Sequence, residues 1–130
     1  MRLWHQSLIP QLPRQQLLGQ HRECCALRGN SWGKKHRIVD YVFTHEPEYL
    51  VAYHLKVMEE MKLRCYNVSS EWSDCNYRGK QCNKANLDLF KVNRIKNLSP
   101  IYPEHDDRYL KECLKNLEGK GILISSIIRK

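Results

Sequence analysis

From Pro47 to Arg64, Leu50, Val51, His54, Leu55, Met58 and Met61 recur at spacings of three and four, with Glu59, Glu60 and Lys62 outside that stripe. Such a period places one apolar face along five turns of helix, so the chain has to bury a long amphipathic helix near its centre. Two further segments carry the same signature. Pro13 suits the first turn of a helix running to about Leu27, where Gly29 stops it, and "EHDDRYLKECLKNLEGKG" after Pro103 has acids in its first turn, Leu110, Cys113, Leu114 and Leu117 on one face, and Gly119 as its stop. The expectation is an all-α, compact, loop-rich single domain over residues 1–130 with three principal helices.

The remaining segments are less regular. Leu8, Ile9 and Leu12 alternate with Pro10 and Pro13, which predicts an extended arm for the first dozen residues. "IVDYVF" is left open in class, and residues 65–102 read as irregular with one short helix near Leu87 to Ile95. On the first helix, Leu17, Leu18, His21, Cys24 and Cys25 form one broad face and Gln15, Gly19, Arg22, Glu23 and Ala26 another. A glycine inside a helix costs about 1 kcal/mol relative to alanine, so Gly19 predicts a close approach one turn before Glu23.

Charge is distributed unevenly. The chain has 22 basic and 14 acidic residues, a net charge of +8, and Met1 to Arg37 holds seven of the basic residues with a single acid, Glu23. Clustered cations gain from displacing counterions condensed on phosphates, which points to a nucleic acid partner. "RGNSWGKKHR" at 28–37 sets Arg28, Lys34, Lys35 and Arg37 around Trp32, a combination suited to phosphate contact with stacking or wedging. No apolar run reaches the roughly 20 residues of a spanning helix, and the N-terminus lacks the apolar core of a secretory signal. A cytoplasmic, nucleoid-associated monomer with no membrane contact is expected.

The six cysteines contain no Cys-x-x-Cys pair, so they are expected as reduced thiols, several of them small core residues, with no metal and no cofactor. His54 and the neighbouring methionines are expected in the core. Phosphate loops, nucleophile elbows and His-Glu-x-x-His zinc sites are absent from the sequence. What remains is an α-amine, whose ordinary pKa of about 7.7 to 8.0 leaves a nucleophilic fraction near neutral pH, and a lone carboxylate among cations.

"LPRQQLLGQHRECC", followed in order by "KLRCYNV", "NYRGK" and "YPEHDDRYLKECL", resembles the pyrimidine-dimer DNA glycosylase family, which includes phage endonuclease V. Its most specific element is Arg22-Glu23 on the first long helix, matching the family's Arg-Glu pair. The resemblance implies an all-helical domain that binds damaged double-stranded DNA, kinks it and flips a nucleotide. The N-terminal α-amine attacks C1′ to form an imine, and the Glu assists glycosyl transfer and the β-elimination that nicks an abasic site, with no metal required. Members expose a small residue behind a removed initiator; here Arg2 follows, so the amine is that of Met1.

Carried over, the resemblance gives Met1, Glu23 and Arg22 as catalytic residues, Arg22 holding a phosphate or the flipped nucleotide. Arg2 falls beside a basic residue of the family and Arg28 near another, and the cationic N-terminal quarter adds Arg14, Lys34, Lys35 and Arg37 as DNA-binding residues. A non-catalytic nucleic-acid-binding module on the same scaffold is the alternative, needing neither the amine nor Glu23.

Overall fold

A computed structural model gives the architecture, described here for residues 2–29 and 40–124. The described residues form five α-helices and two short 3-10 segments, with no strand among them: a 3-10 segment at Gln6–Gln11, α1 at Arg14–Arg28, α2 at Asp40–Thr44, α3 at Pro47–Leu63, a second 3-10 segment at Ser70–Ser73, α4 at Leu89–Lys96 and α5 at Asp107–Gly119. The three long helices are those the periodicity predicts. The open segment at 38–43 contributes α2, and α4 falls one or two residues from its predicted place.

Helix α3 is the central element, packed against both α1 and α4. Pro47 opens it at a position where the missing N–H costs nothing, Glu48 sits in its first turn and Lys62 in its last, each matching the sign of the helix dipole. Leu50, Val51, Ala52, Tyr53, His54, Val57, Met58 and Met61 are buried along it, a face wider than the spacing predicts because two helices and the arm all lie on it. Ion pairs from Lys91 to Glu46 and Lys96 to Glu59 flank the contact with α4. At α4 and α5, Asp88 and Asp106 accept hydrogen bonds from the Lys91 and Tyr109 amides and cap the first turns.

The predicted extended arm is a correction. Residues 6–11 coil into a 3-10 segment, and Leu3, Leu8 and Leu12 are at most 1% exposed, with Trp4 and Ile9 also buried. Each buried leucine contributes on the order of 2 kcal/mol, so the arm belongs to the core. Arg64, at the end of α3, donates to the carbonyls of Leu12 and Pro10 at 2.7 and 3.0 Å and is itself held by Glu60 at 2.7 Å. Those charge-assisted bonds fix the arm's far end.

Its near end meets an aromatic cluster. The Gln6 amide donates to His105 Nδ1 at 3.1 Å, which leaves Nε2 to carry the hydrogen and donate to Tyr41 Oη at 2.8 Å. Tyr109 donates to the Leu3 carbonyl, and its ring stacks on His105 with centroids 5.1 Å apart. Burial, with His5 beside it, pulls the His105 imidazole down to about 3.

An unfolded histidine titrates near 6.5, so below that pH the unfolded chain binds the extra proton. The stability that His105 contributes is complete above pH 6.5 and falls as pH drops towards 3, by up to about 1.4 kcal/mol per pH unit. Denaturant titrations should therefore give a lower unfolding free energy at pH 5 than at pH 7.5. His105→Asn should be less stable at pH 7.5 yet lose less on acidification.

Candidate active site

The N-terminal arm and α1 meet around one carboxylate. The Arg2 backbone N–H donates to Glu23 Oε2 at 3.3 Å, bringing residues 21 positions apart to the same point. Gln20, one turn earlier and 1% exposed, organises the junction. Its Nε2 donates to the Arg2 carbonyl at 2.9 Å and to Glu23 Oε2 at 3.1 Å, while its Oε1 accepts from the Trp4 amide at 2.6 Å. The Tyr53 hydroxyl from α3 lies 2.8 Å from the same Oε1 and 2.6 Å from the Trp4 carbonyl, one hydrogen between two acceptors. Arm, α1 and α3 are thus joined through a single amide.

Glu23 is half-buried, and burial pushes its carboxyl up from the usual carboxylate range; the Arg2 N–H, Arg22 and Gln20 oppose that rise by stabilising the anion. Two donors to one oxygen fix its orientation. A carboxylate so held can face a developing positive charge or take up a proton.

The other predicted site residues fall in different places. Arg22 is exposed beside Glu23. Arg2 is half-buried, its guanidinium 5.9 and 5.8 Å from the ring centroids of Trp4 and Tyr109, and exposed Arg14 lies 5.0 Å from the Tyr66 ring. Met1, Lys34, Lys35 and Arg37, together with Trp32, lie outside the described residues. Arg28 is a correction. It is 2% exposed and its guanidinium is committed inward, to the carbonyls of Trp72, Asp74 and Tyr77 at 3.1, 2.8 and 2.9 Å and to His54 Nδ1 at 3.0 Å, so it presents no free charge to a phosphate.

Gly19 is also not what its position predicts. A Cβ there would meet the Arg22 guanidinium at 3.7 Å, an ordinary contact, and no other element approaches among the described residues. The crowded glycine is Gly29, where a Cβ would sit 2.8 Å from the Arg78 carbonyl oxygen. There the Tyr77-Arg78-Gly79 turn closes the end of α1: Arg78 donates to the Arg28 carbonyl at 2.9 Å, and Gly79 takes φ +104°, which glycine alone adopts without strain.

A second polar group lies on another flank of α1. His21 Nδ1 and His54 Nε2 are 2.8 Å apart, Cys25 Sγ is 3.8 to 4.0 Å from these rings, and the three ligand atoms fall within 4.8 Å of one another, as a metal would require. Sequence inspection missed both this group and Gln20. The traces were there: His21 and Cys25 are four apart and Gln20 and Glu23 three apart, spacings that stack side chains on a helix face. An apolar cleft of about 280 Å³ near Arg28, Val51, Tyr77 and Leu87 is lined by neither Glu23 nor the arm, so it is not where Glu23 would act.

The N-terminal arm thus folds onto a carboxylate of the first long helix, with Arg2 and Arg22 beside it. The family model described as pyrimidine dimer DNA glycosylase matches residues 1–74, more than half the chain, and the protein belongs to that family of DNA glycosylases. No curated protein and no solved structure matches it.

Replacing Gln20 by Leu should leave the Trp4 amide and the Arg2 carbonyl without partners and cost about 2–4 kcal/mol in denaturant unfolding, with faster hydrogen exchange at the Trp4 amide. Gly19→Ala should raise stability by about 0.5–1 kcal/mol in the same measurement, since nothing in the fold needs the glycine.

Proposed function

We propose that the protein is a DNA glycosylase with associated abasic-site lyase activity on damaged double-stranded DNA, using the α-amine of Met1 as nucleophile and Glu23 as the catalytic carboxylate. One observation carries this reading: the Arg2 N–H on Glu23 Oε2 at 3.3 Å. The Arg2 nitrogen is the atom joined to the Met1 carbonyl carbon, so its contact with Glu23 supports Met1 as the nucleophile in this reading.

In this reading the neutral amine adds to C1′ of the damaged nucleotide while the glycosidic bond breaks and its electron pair leaves with the base. The anionic form of Glu23 offsets the positive charge that grows on the sugar, as carboxylates do in glycoside cleavage. The attached nitrogen, now an ammonium, gives one proton to the departing base; the N,O-acetal then opens as the C1′–O4′ bond breaks, Glu23 relays the nitrogen's second proton to O4′, and the imine is left. Loss of a C2′ proton from that imine expels the 3′ phosphate oxygen and nicks the strand. Glu23 suits both duties, because burial raises its proton affinity while Arg2, Arg22 and Gln20 keep the anion accessible.

Arg22 would hold a phosphate flanking the flipped nucleotide, and Arg2 and Arg14, with Lys34, Lys35 and Arg37 from the 30–39 segment, would supply further backbone contacts. Arg28 is left out, being spent on the fold. The protein would act as a monomer in the cytoplasm, at the nucleoid. Among the described residues no helix is long and apolar enough to cross a membrane.

Incubation with duplex carrying a pyrimidine dimer or an abasic site, in the presence of borohydride, should trap a covalent adduct that maps to the N-terminal residue. Failure to trap it on both substrates overturns the reading. Glu23→Gln should lower strand cleavage by at least about 100-fold with DNA affinity unchanged or tighter. A non-catalytic DNA-binding module would bind with the same salt dependence and show no cleavage for that substitution to remove.

A further inference from the structure

We propose that His21, Cys25 and His54 form a binding site for one zinc-class divalent cation, on a flank of α1 separate from Glu23. His21 and Cys25 lie one turn apart on α1 and His54 faces them from α3, so the three donors converge from two packed helices. Tetrahedral zinc, with bonds of about 2.0–2.1 Å to nitrogen and 2.3 Å to sulfur, sets its nitrogens about 3.3 Å apart and sulfur about 3.6 Å from each. The observed 2.8 Å between His21 Nδ1 and His54 Nε2, and 4.0 and 3.9 Å from these atoms to Cys25 Sγ, differ from those values by about half an ångström or less, while Sγ lies 3.8 Å from His21 Nε2, so the half-exposed His21 ring has to turn to aim Nδ1 at the ion. Mixed imidazole and thiolate donors select the zinc class over calcium or magnesium.

The hydrogen-bond directions define what the cation replaces. Arg28 Nη1 donates to His54 Nδ1, so in the metal-free protein Nε2 carries the hydrogen and shares it with His21 Nδ1. On binding, the His54 proton moves from Nε2 to Nδ1, the Cys25 thiol proton leaves to solvent, and Arg28 Nη1 gives up Nδ1 as an acceptor, turning from it to the Trp72 carbonyl that it already meets at 3.1 Å. The thiolate offsets part of the cation's charge beside Arg28. Cys25 also lines a surface depression of about 370 Å³ with Trp72, Gly79, Lys80 and Cys82, through which the cation enters and from which water fills the fourth position. A bound ion would cross-link α1 to α3, which is a structural role and does not depend on the DNA chemistry proposed above.

The test needs no DNA. The metal-free full-length protein is titrated with cobalt(II) chloride under reducing conditions, then with zinc chloride, and alkylation of each cysteine is mapped by peptide mass spectrometry with and without zinc. Expected are one cobalt per chain with a thiolate charge-transfer band and visible bands of tetrahedral intensity, release of one proton per metal, a raised melting temperature, and zinc protection of Cys25 from alkylation. Cys25→Ser should abolish the charge-transfer band, and His21→Gln, at a half-exposed position, should weaken binding by about 100-fold or more. The proposal falls if cobalt keeps its octahedral aqueous spectrum at stoichiometric protein, if zinc leaves Cys25 alkylation unchanged, or if tight binding survives both substitutions in folded protein. The wild-type cobalt and alkylation measurements decide the matter even where a variant does not fold.

Discussion

The amide of Gln20 is the interaction on which the arrangement of this protein rests. It is buried, and both of its hydrogens and its oxygen are engaged, by the Arg2 carbonyl, Glu23, the Trp4 amide and the Tyr53 hydroxyl. A buried amide that lost any of these partners would leave a desolvated polar group behind, so the four contacts form or fail together. The arm therefore has one register against α1, and Glu23 has one orientation relative to the arm. The far end of the arm is fixed independently by Arg64 on its carbonyls. Between the two clamps, Leu3, Leu8 and Leu12 supply the apolar adhesion that hydrogen bonds by themselves do not.

The three surfaces of α1 divide the work of the molecule. Leu17, Cys24 and Leu27 bury into the core, Gln20 and Glu23 meet the arm, and His21, Cys25 and Arg28 meet His54 and the segment that follows α3. Membership in the pyrimidine dimer DNA glycosylase family gives the arm-facing surface its context. The opposite flank is polar, and its cation, Arg28, is held through both terminal nitrogens by backbone carbonyls and by a histidine whose burial, together with Arg28 itself, keeps it neutral. That is a reason why a helix so rich in Arg, His and Cys can still be packed on two sides.

Local rules carried much of this fold into view. Periodicity and punctuation located α1, α3 and α5 to within a few residues, because proline, glycine and capping acids act through the backbone next to them. The arm was misjudged for the same reason: its prolines speak against an α-helix but say nothing of whether Leu3, Leu8 and Leu12 will find a core. Arg28 reads as a free cation in a basic stretch, and nothing local announces the three carbonyls, from Trp72, Asp74 and Tyr77, that consume it. Gly19 and Gly29 exchanged significance because crowding at a glycine is set by a segment some fifty residues away. The Arg2 to Glu23 contact lay within reach of the sequence, through the lone acid among cations, whereas Gln20 was masked by two other glutamines within five positions of it.

The way α1 ends bears on where the autonomous folding unit stops. The family match closes at residue 74, yet the Tyr77 carbonyl that accepts from Arg28 Nη2, and the Arg78 side chain that donates to the Arg28 carbonyl at the end of the helix, lie just beyond it. A fragment cut at that border would carry a buried charge short of an acceptor and a fraying helix terminus directly behind Glu23. The matched stretch therefore stops short of the turn that closes α1, and that downstream turn acts as a keystone for a helix laid down long before it in the chain.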